Sequence, residues 1–112
     1  MVNEELEPLK KHCDELSLHI EGGVEYIHFK NLKLPEGCSP QSTNAIFCPS
    51  PRDGYESRMG FEQKVVTPFP RNWTEIRILD RNWAAFSWRY PVAGLSLLQI
   101  LLGHFEGLKS NK

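Results

Sequence analysis

The chain is short of the features that announce many common functions. Cysteine is scarce: Cys13, Cys38 and Cys48 make an odd count with no Cys-x-x-Cys spacing. That argues against a disulfide scaffold and fits a reducing, cytoplasmic compartment. No apolar run reaches the roughly 20 residues that a membrane-spanning helix needs. The amino end is polar and acidic without an early apolar run, so no secretory signal is expected. Net charge is lacking too, with 13 Lys and Arg against 14 Asp and Glu. Phosphate neutralisation needs a clustered positive field, so neither nucleic acid nor a membrane is an expected partner. No internal repeat exists beyond Arg-Asn-Trp at 71–73 and 81–83, which reads as chance or local capping by Asn72 and Asn82.

What is present is an ordinary globular composition, 40% apolar and 24% charged over 112 residues. That length supports one domain, residues 1–112, with a core that needs no disulfide. The charge is unevenly spread. Residues 1 to 25 hold Glu4, Glu5, Glu7, Asp14, Glu15, Glu21 and Glu25 against Lys10 and Lys11. Residues 71 to 91 hold Arg71, Arg77, Arg81 and Arg89 against Glu75 and Asp80. The arginines suit an acidic protein partner, or are simply a solvated scatter.

Taken in order, residues 3 to 16 read as a helix, with Leu6, Leu9, Cys13 and Leu16 on one face. Pro8 fits only a first turn, so regular helix is expected from about Glu7. Residues 17–21 and 24–29 alternate in polarity around Gly22-Gly23, the pattern of a β-hairpin. Residues 32–41, with two prolines and a glycine, read as a loop. Residues 42–48 and 58–66 read as a third and fourth strand, separated by a Pro-rich break at 49–55. Residues 72–80 read as a loop or short strand and 81–88 as a tryptophan-rich turn. The apolar run at 95–108 is the best helix of the chain: Leu98, Leu101, Leu102, Phe105 and Leu108 recur at helical spacing, widened by Leu95, Leu97 and Ile100. Gly103 and Gly107 weaken it, or admit a close neighbour. Trp83, Phe86, Trp88 and Tyr90 predict an aromatic plug beneath its amino end. The expected fold class is α+β: an N-terminal helix, a four-stranded antiparallel meander, and a C-terminal helix packed on the sheet.

This order resembles the ubiquitin-conjugating-enzyme fold. Pro51-Arg52-Asp53-Gly54-Tyr55 resembles its Tyr-Pro loop, although Glu56 follows the tyrosine. Trp88-Arg89-Tyr90-Pro91 ahead of the apolar run resembles its Trp-x-Pro and central helix. Leu34-Pro35-Glu36-Gly37 together with Arg81-Asn82-Trp83-Ala84-Ala85-Phe86-Ser87-Trp88 is similar to the prokaryotic ubiquitin-conjugating-enzyme-like family E, with Phe86 in place of its second tryptophan. The resemblance implies a cysteine thiolate that carries an acyl thioester and an asparagine that steadies the oxyanion. Asn72 matches the asparagine. The position matching the family thiol is Asp80, which holds no thioester. The implied role is therefore non-catalytic: binding a ubiquitin-like protein, its activating enzyme or another pathway subunit in bacterial ubiquitin-like modification, of the kind used in phage defence.

Cys48 ends a strand before Pro49 and is a relocated thiol or a small buried hydrophobe. Cys38 lies in a loop, with no basic residue within four positions to acidify it. Cys13 falls on the first helix's apolar stripe. An active carrier enzyme would use Cys48, then Cys38. Tyr55 with Arg77, Arg81 and Arg89 is the expected partner surface. Asp53 with Tyr55 and Asp80 has acid–base chemistry, but Asp53-Gly54 reads as a turn. His12, His19, His28 and His104 join the cysteines as possible metal ligands. No pair has finger-like spacing, although His19 and His28 can face each other across the hairpin. A metal-binding module is the third class of function; no metal and no cofactor are expected.

Overall fold

The computed structural model describes residues 6–50, 54–68, 72–86, 88 and 93–109. Its centre is one antiparallel sheet of six strands: β1 (Glu15–Glu21), β2 (Val24–Lys33), β3 (Ser42–Cys48), β4 (Arg58–Phe61), β5 (Trp73–Ile78) and β6 (Arg81–Phe86). The strands lie in the order β1-β2-β3-β4-β6-β5. A six-residue 3-10 segment, Glu7–His12, precedes them, and one helix, α1 (Leu97–Lys109), follows.

This overturns the expected N-terminal helix and four-stranded meander, while the C-terminal helix packed on the sheet is present. At the amino end, Pro8 sits in the first turn and the chain is already extended at Cys13 (φ −153°). Leu16, counted into the helical stripe, belongs to β1 and faces Phe29 across the hairpin. Leu6, Leu9 and Cys13 are buried all the same, so the apolar spacing was sound and its continuation was not. The larger correction lies at 72–86. This stretch is a hairpin, and β6 inserts beside β4, adding two strands to the sheet. Its tip, Leu79-Asp80, has φ of 54° and 62°, the left-handed pair of a type I′ turn without the usual glycine or asparagine. Gly22 and Gly23, at φ 59° and 81°, make the conventional version between β1 and β2.

Both sheet faces are covered, by different means. One face carries α1 and the 3-10 segment over Phe29, Phe47, Phe61 and Phe86. Helix α1 begins where Ser96 and Gln99 cap each other: Ser96 N–H donates to Gln99 Oε1 at 2.8 Å and Gln99 N–H to Ser96 Oγ at 3.2 Å. The other face holds Tyr26, Ile46, Cys48, Ile76, Ile78 and Trp83. No helix is needed there because the sheet curls on itself. Leu79 N–H donates to Glu21 Oε1 at 3.2 Å, joining the turns at the two ends of the strand order. Trp83 fills the enclosed space, 1% exposed, with its Nε1 donating to the Ile78 carbonyl at 3.0 Å. Gly60 makes room for it: a Cβ there would lie 2.7 Å from Trp83 Cβ.

The expected aromatic plug is therefore divided between faces. Phe86 and Trp88 lie against α1 at Gly107, where a Cβ would stand 2.8 Å from Phe86 and 2.6 Å from Trp88. Trp83 lies on the opposite side, and Tyr90 is outside the described residues.

Candidate functional site

An open groove of about 590 Å³ lies between α1, the 3-10 segment and the loop after β2. Leu34, Pro35, Leu95, Leu102 and Phe105 supply its apolar surface, and His12, Lys33, Gln99 and Glu106 its polar groups. Each wall has a local cause. The Leu34-Pro35-Glu36-Gly37 loop is clamped by Gln41, whose Nε2 donates to the carbonyls of Leu34 (2.6 Å) and Pro35 (2.9 Å). Gly37, at φ 94°, turns the chain so closely on Pro68 that a Cβ would sit 3.0 Å from that ring. Gln99 is held on the rim by the Ser96 cap. His12 rests edge-on against Phe105 with ring centroids 6.1 Å apart. Trp88 Nε1 donates to the Gly103 carbonyl at 2.9 Å, tying the segment before α1 to the helix. Leu102 is left 41% exposed within this groove. An apolar concavity of several hundred Å3 with a few polar groups at its margin is suited to hold a guest side chain or small ligand.

The cysteines have the opposite character. Cys13, Cys38 and Cys48 are buried and outside any disulfide, with Cys48 1% and Cys38 6% exposed. Burial pushes the Cys38 thiol up, and burial followed by the neighbouring Asp14 charge does the same to Cys13. Cys48 Sγ donates to the Ser50 carbonyl at 3.4 Å. A thiol that transfers acyl groups needs to be accessible and readily ionised; burial opposes access at all three, and opposes ionisation at Cys13 and Cys38.

Asp80, the position counted as the family thiol, occupies the exposed β5–β6 turn. Its carboxylate accepts from Arg77 at 2.7 Å. Asn72 is exposed immediately before β5. The arginines proposed as one partner surface are separated. Arg77 opposes Asn82, with which it also bonds at 3.2 Å, while Arg81 opposes Ile78 and so points to the other side of the sheet. Arg81 pairs with Glu62 at 3.2 Å and stacks over Trp83 at 4.5 Å. Tyr55 lies under the Arg58 guanidinium at 4.3 Å. Arg89 and Asp53 lie outside the described residues.

His19 and His28 do meet across the hairpin, with ring centroids 6.2 Å apart. His19 Nε2 is hydrogen-bonded to Ser17 Oγ at 2.8 Å. Burial, then the positive influence of His19 and Arg81, lowers the His28 pKa against the opposing pull of Glu62. No cluster of three metal-ligating side chains occurs among the described residues. His104 serves the interior: its Nε2 and Ser57 Oγ share a 2.7 Å hydrogen bond that joins α1 to the residue before β4. Burial and, next, the Arg58 charge bring its pKa down to about 4.

The groove is the feature that residue patterns did not reveal. Leu102 was counted into the core stripe of α1, and nothing in its spacing separates it from Leu101, which is fully buried. The Ser96-Leu97-Leu98-Gln99 capping pattern was a usable signal for where the helix starts and which side chain guards the groove. No protein-family model matches the chain, and neither a curated protein nor a solved structure shows significant similarity to it. Among the described residues, no helix is long and apolar enough to cross a membrane.

Proposed function

We infer that this chain is a protein-binding module that uses the groove between α1 and the Leu34-Pro35-Glu36-Gly37 loop, without a covalent step of its own. The observation that carries this reading is the pairing of a half-exposed Leu102 in an open groove with three buried thiols. The bacterial ubiquitin-like modification pathway is the context to test first. The loop on which that resemblance rests supplies Leu34 and Pro35 to the groove wall. The guest is a ubiquitin-like protein that places an apolar side chain beside Leu102; its activating enzyme and a partner subunit are the other candidates.

Titration calorimetry against each candidate, with the parent chain and Leu102→Asp, tests the reading. Binding that weakens about tenfold or more in the variant supports it, as expected for a charge placed in a buried anchor site. Unchanged binding places the contact elsewhere. Incubation with the activating enzyme, the ubiquitin-like protein and ATP tests the carrier alternative. A thiol-sensitive adduct lost in Cys48→Ser or Cys38→Ser would overturn the non-covalent reading.

A further inference from the structure

Strand β1 ends the sheet: β2 pairs with one edge, and among the described residues no strand pairs with the other. An unpaired edge presents a row of backbone donors and acceptors, which proteins commonly blunt with charge. The opposite end of the sheet shows that protection. On β5, Glu75 and Arg77 stand on the same side of the sheet as the α1 core, because Glu75 opposes Ala84, which also opposes Phe61. On β1 the equivalent side carries Leu16, Leu18 and Ile20, opposite Phe29, Ile27 and Glu25. Leu18 is 39% and Ile20 68% exposed. The charges of this strand stand at its two ends, Glu15 and Glu21.

We propose that the free edge of β1 is a second binding site, which takes an extended segment of a partner protein as a seventh strand. Charge identifies the occupant. A second copy of the chain, paired antiparallel about Leu18, would match Leu16 with Ile20 and Leu18 with itself. It would also set Glu15 against Glu21 at both ends, and like charges directly opposite each other repel. The fitting segment alternates apolar and polar residues, as the β1 side chains do, and carries lysine or arginine where it meets Glu15 and Glu21. Its backbone supplies the ladder hydrogen bonds, and its apolar side chains cover Leu18 and Ile20.

The probe is the capped heptapeptide Lys-Val-Thr-Val-Thr-Val-Lys, with Glu-Val-Thr-Val-Thr-Val-Glu as control. Nitrogen-edited NMR titration and amide exchange on the whole chain provide the readout. The expected result is shifted and more slowly exchanging amides within Glu15–Glu21, with the control binding about tenfold more weakly at low salt. Ile20→Lys, at an exposed position the fold does not depend on, is expected to weaken the lysine peptide by about tenfold as well. Shifts confined to the Leu102 groove, or equal affinity for both peptides, would overturn the proposal. So would a concentration-dependent dimer of the parent chain that Ile20→Lys dissolves, because the occupant would then be a second copy.

Discussion

At the scale of single residues, the backbone asks for side chains that the sequence does not always supply. Leu79 and Asp80 turn the β5–β6 hairpin at positive φ, where an L residue with a β-carbon is disfavoured by roughly 1–2 kcal/mol, less for aspartate. Asp80→Gly relieves that at the expense of an Arg77 contact that is mostly solvent-exposed. It is expected to raise unfolding stability by up to about 1 kcal/mol in urea titration. Gly60 shows the reverse dependence. Gly60→Ala drives a methyl group into Trp83 Cβ at 2.7 Å and Ile46 Cγ2 at 3.0 Å, with no flexible chain end to give way. The expected loss is about 1–3 kcal/mol, with a change in Trp83 fluorescence. Gly60 reads in the sequence as one ordinary member of an alternating strand. Only the register of β4 beside β6 shows that tryptophan needs its empty side.

At the scale of elements, the helix–sheet contact contains a titratable pin. His104 on α1 is 2% exposed and bonded to Ser57, and its folded pKa of about 4 lies below the ordinary 6.5. The unfolded chain therefore takes up this proton first. Stability is complete above about pH 6.5 and falls progressively as the pH drops toward 4, by on the order of 3 kcal/mol for this one group. Denaturant midpoints measured across that range should decline on acidification. His104→Gln, which keeps a hydrogen-bonding side chain but cannot titrate, should flatten this part of the decline. The amino-terminal element depends on packing more than on its own hydrogen bonds. Leu9 is fully buried beneath a segment of only six residues, so Leu9→Ala is expected to cost about 2–5 kcal/mol.

At the scale of the whole molecule, the curl of the sheet does what a second helix would do in a flatter one. It draws the β1–β2 and β5–β6 turns together through Glu21 and Leu79, and a second small core closes around Trp83. The two proposed binding sites are the groove beside Leu102 and the outer edge of β1. They lie on different elements and are separable by mutation. Leu102→Asp should impair the first and spare binding of the lysine-flanked peptide, while Ile20→Lys should do the opposite. NMR titration of both variants against both ligands checks this independence.

Local physics was enough for much of the chain. The Gly22-Gly23 hairpin, the third strand at Ser42–Cys48 and the carboxyl-terminal helix follow from period-two and period-3.6 apolar patterns and from turn residues needing positive φ. Burial of Leu6, Leu9 and Cys13 was equally readable. Strand β5 stayed open between loop and strand and β6 read as a turn, because their tip lacks glycine or asparagine and because Trp83-Ala84-Ala85-Phe86 is apolar without alternation. What makes Trp73–Ile78 and Arg81–Phe86 strands is pairing: β6 satisfies its backbone against β4 on one side and β5 on the other. The sequence by itself determined, for the patterned elements, which stripe of side chains as a whole leaves water. The tertiary structure decided on which face of the sheet they do so, and which leucines stay at the surface. Spacing along a chain records the period of an element, whereas exposure depends on what the rest of the fold brings to each face.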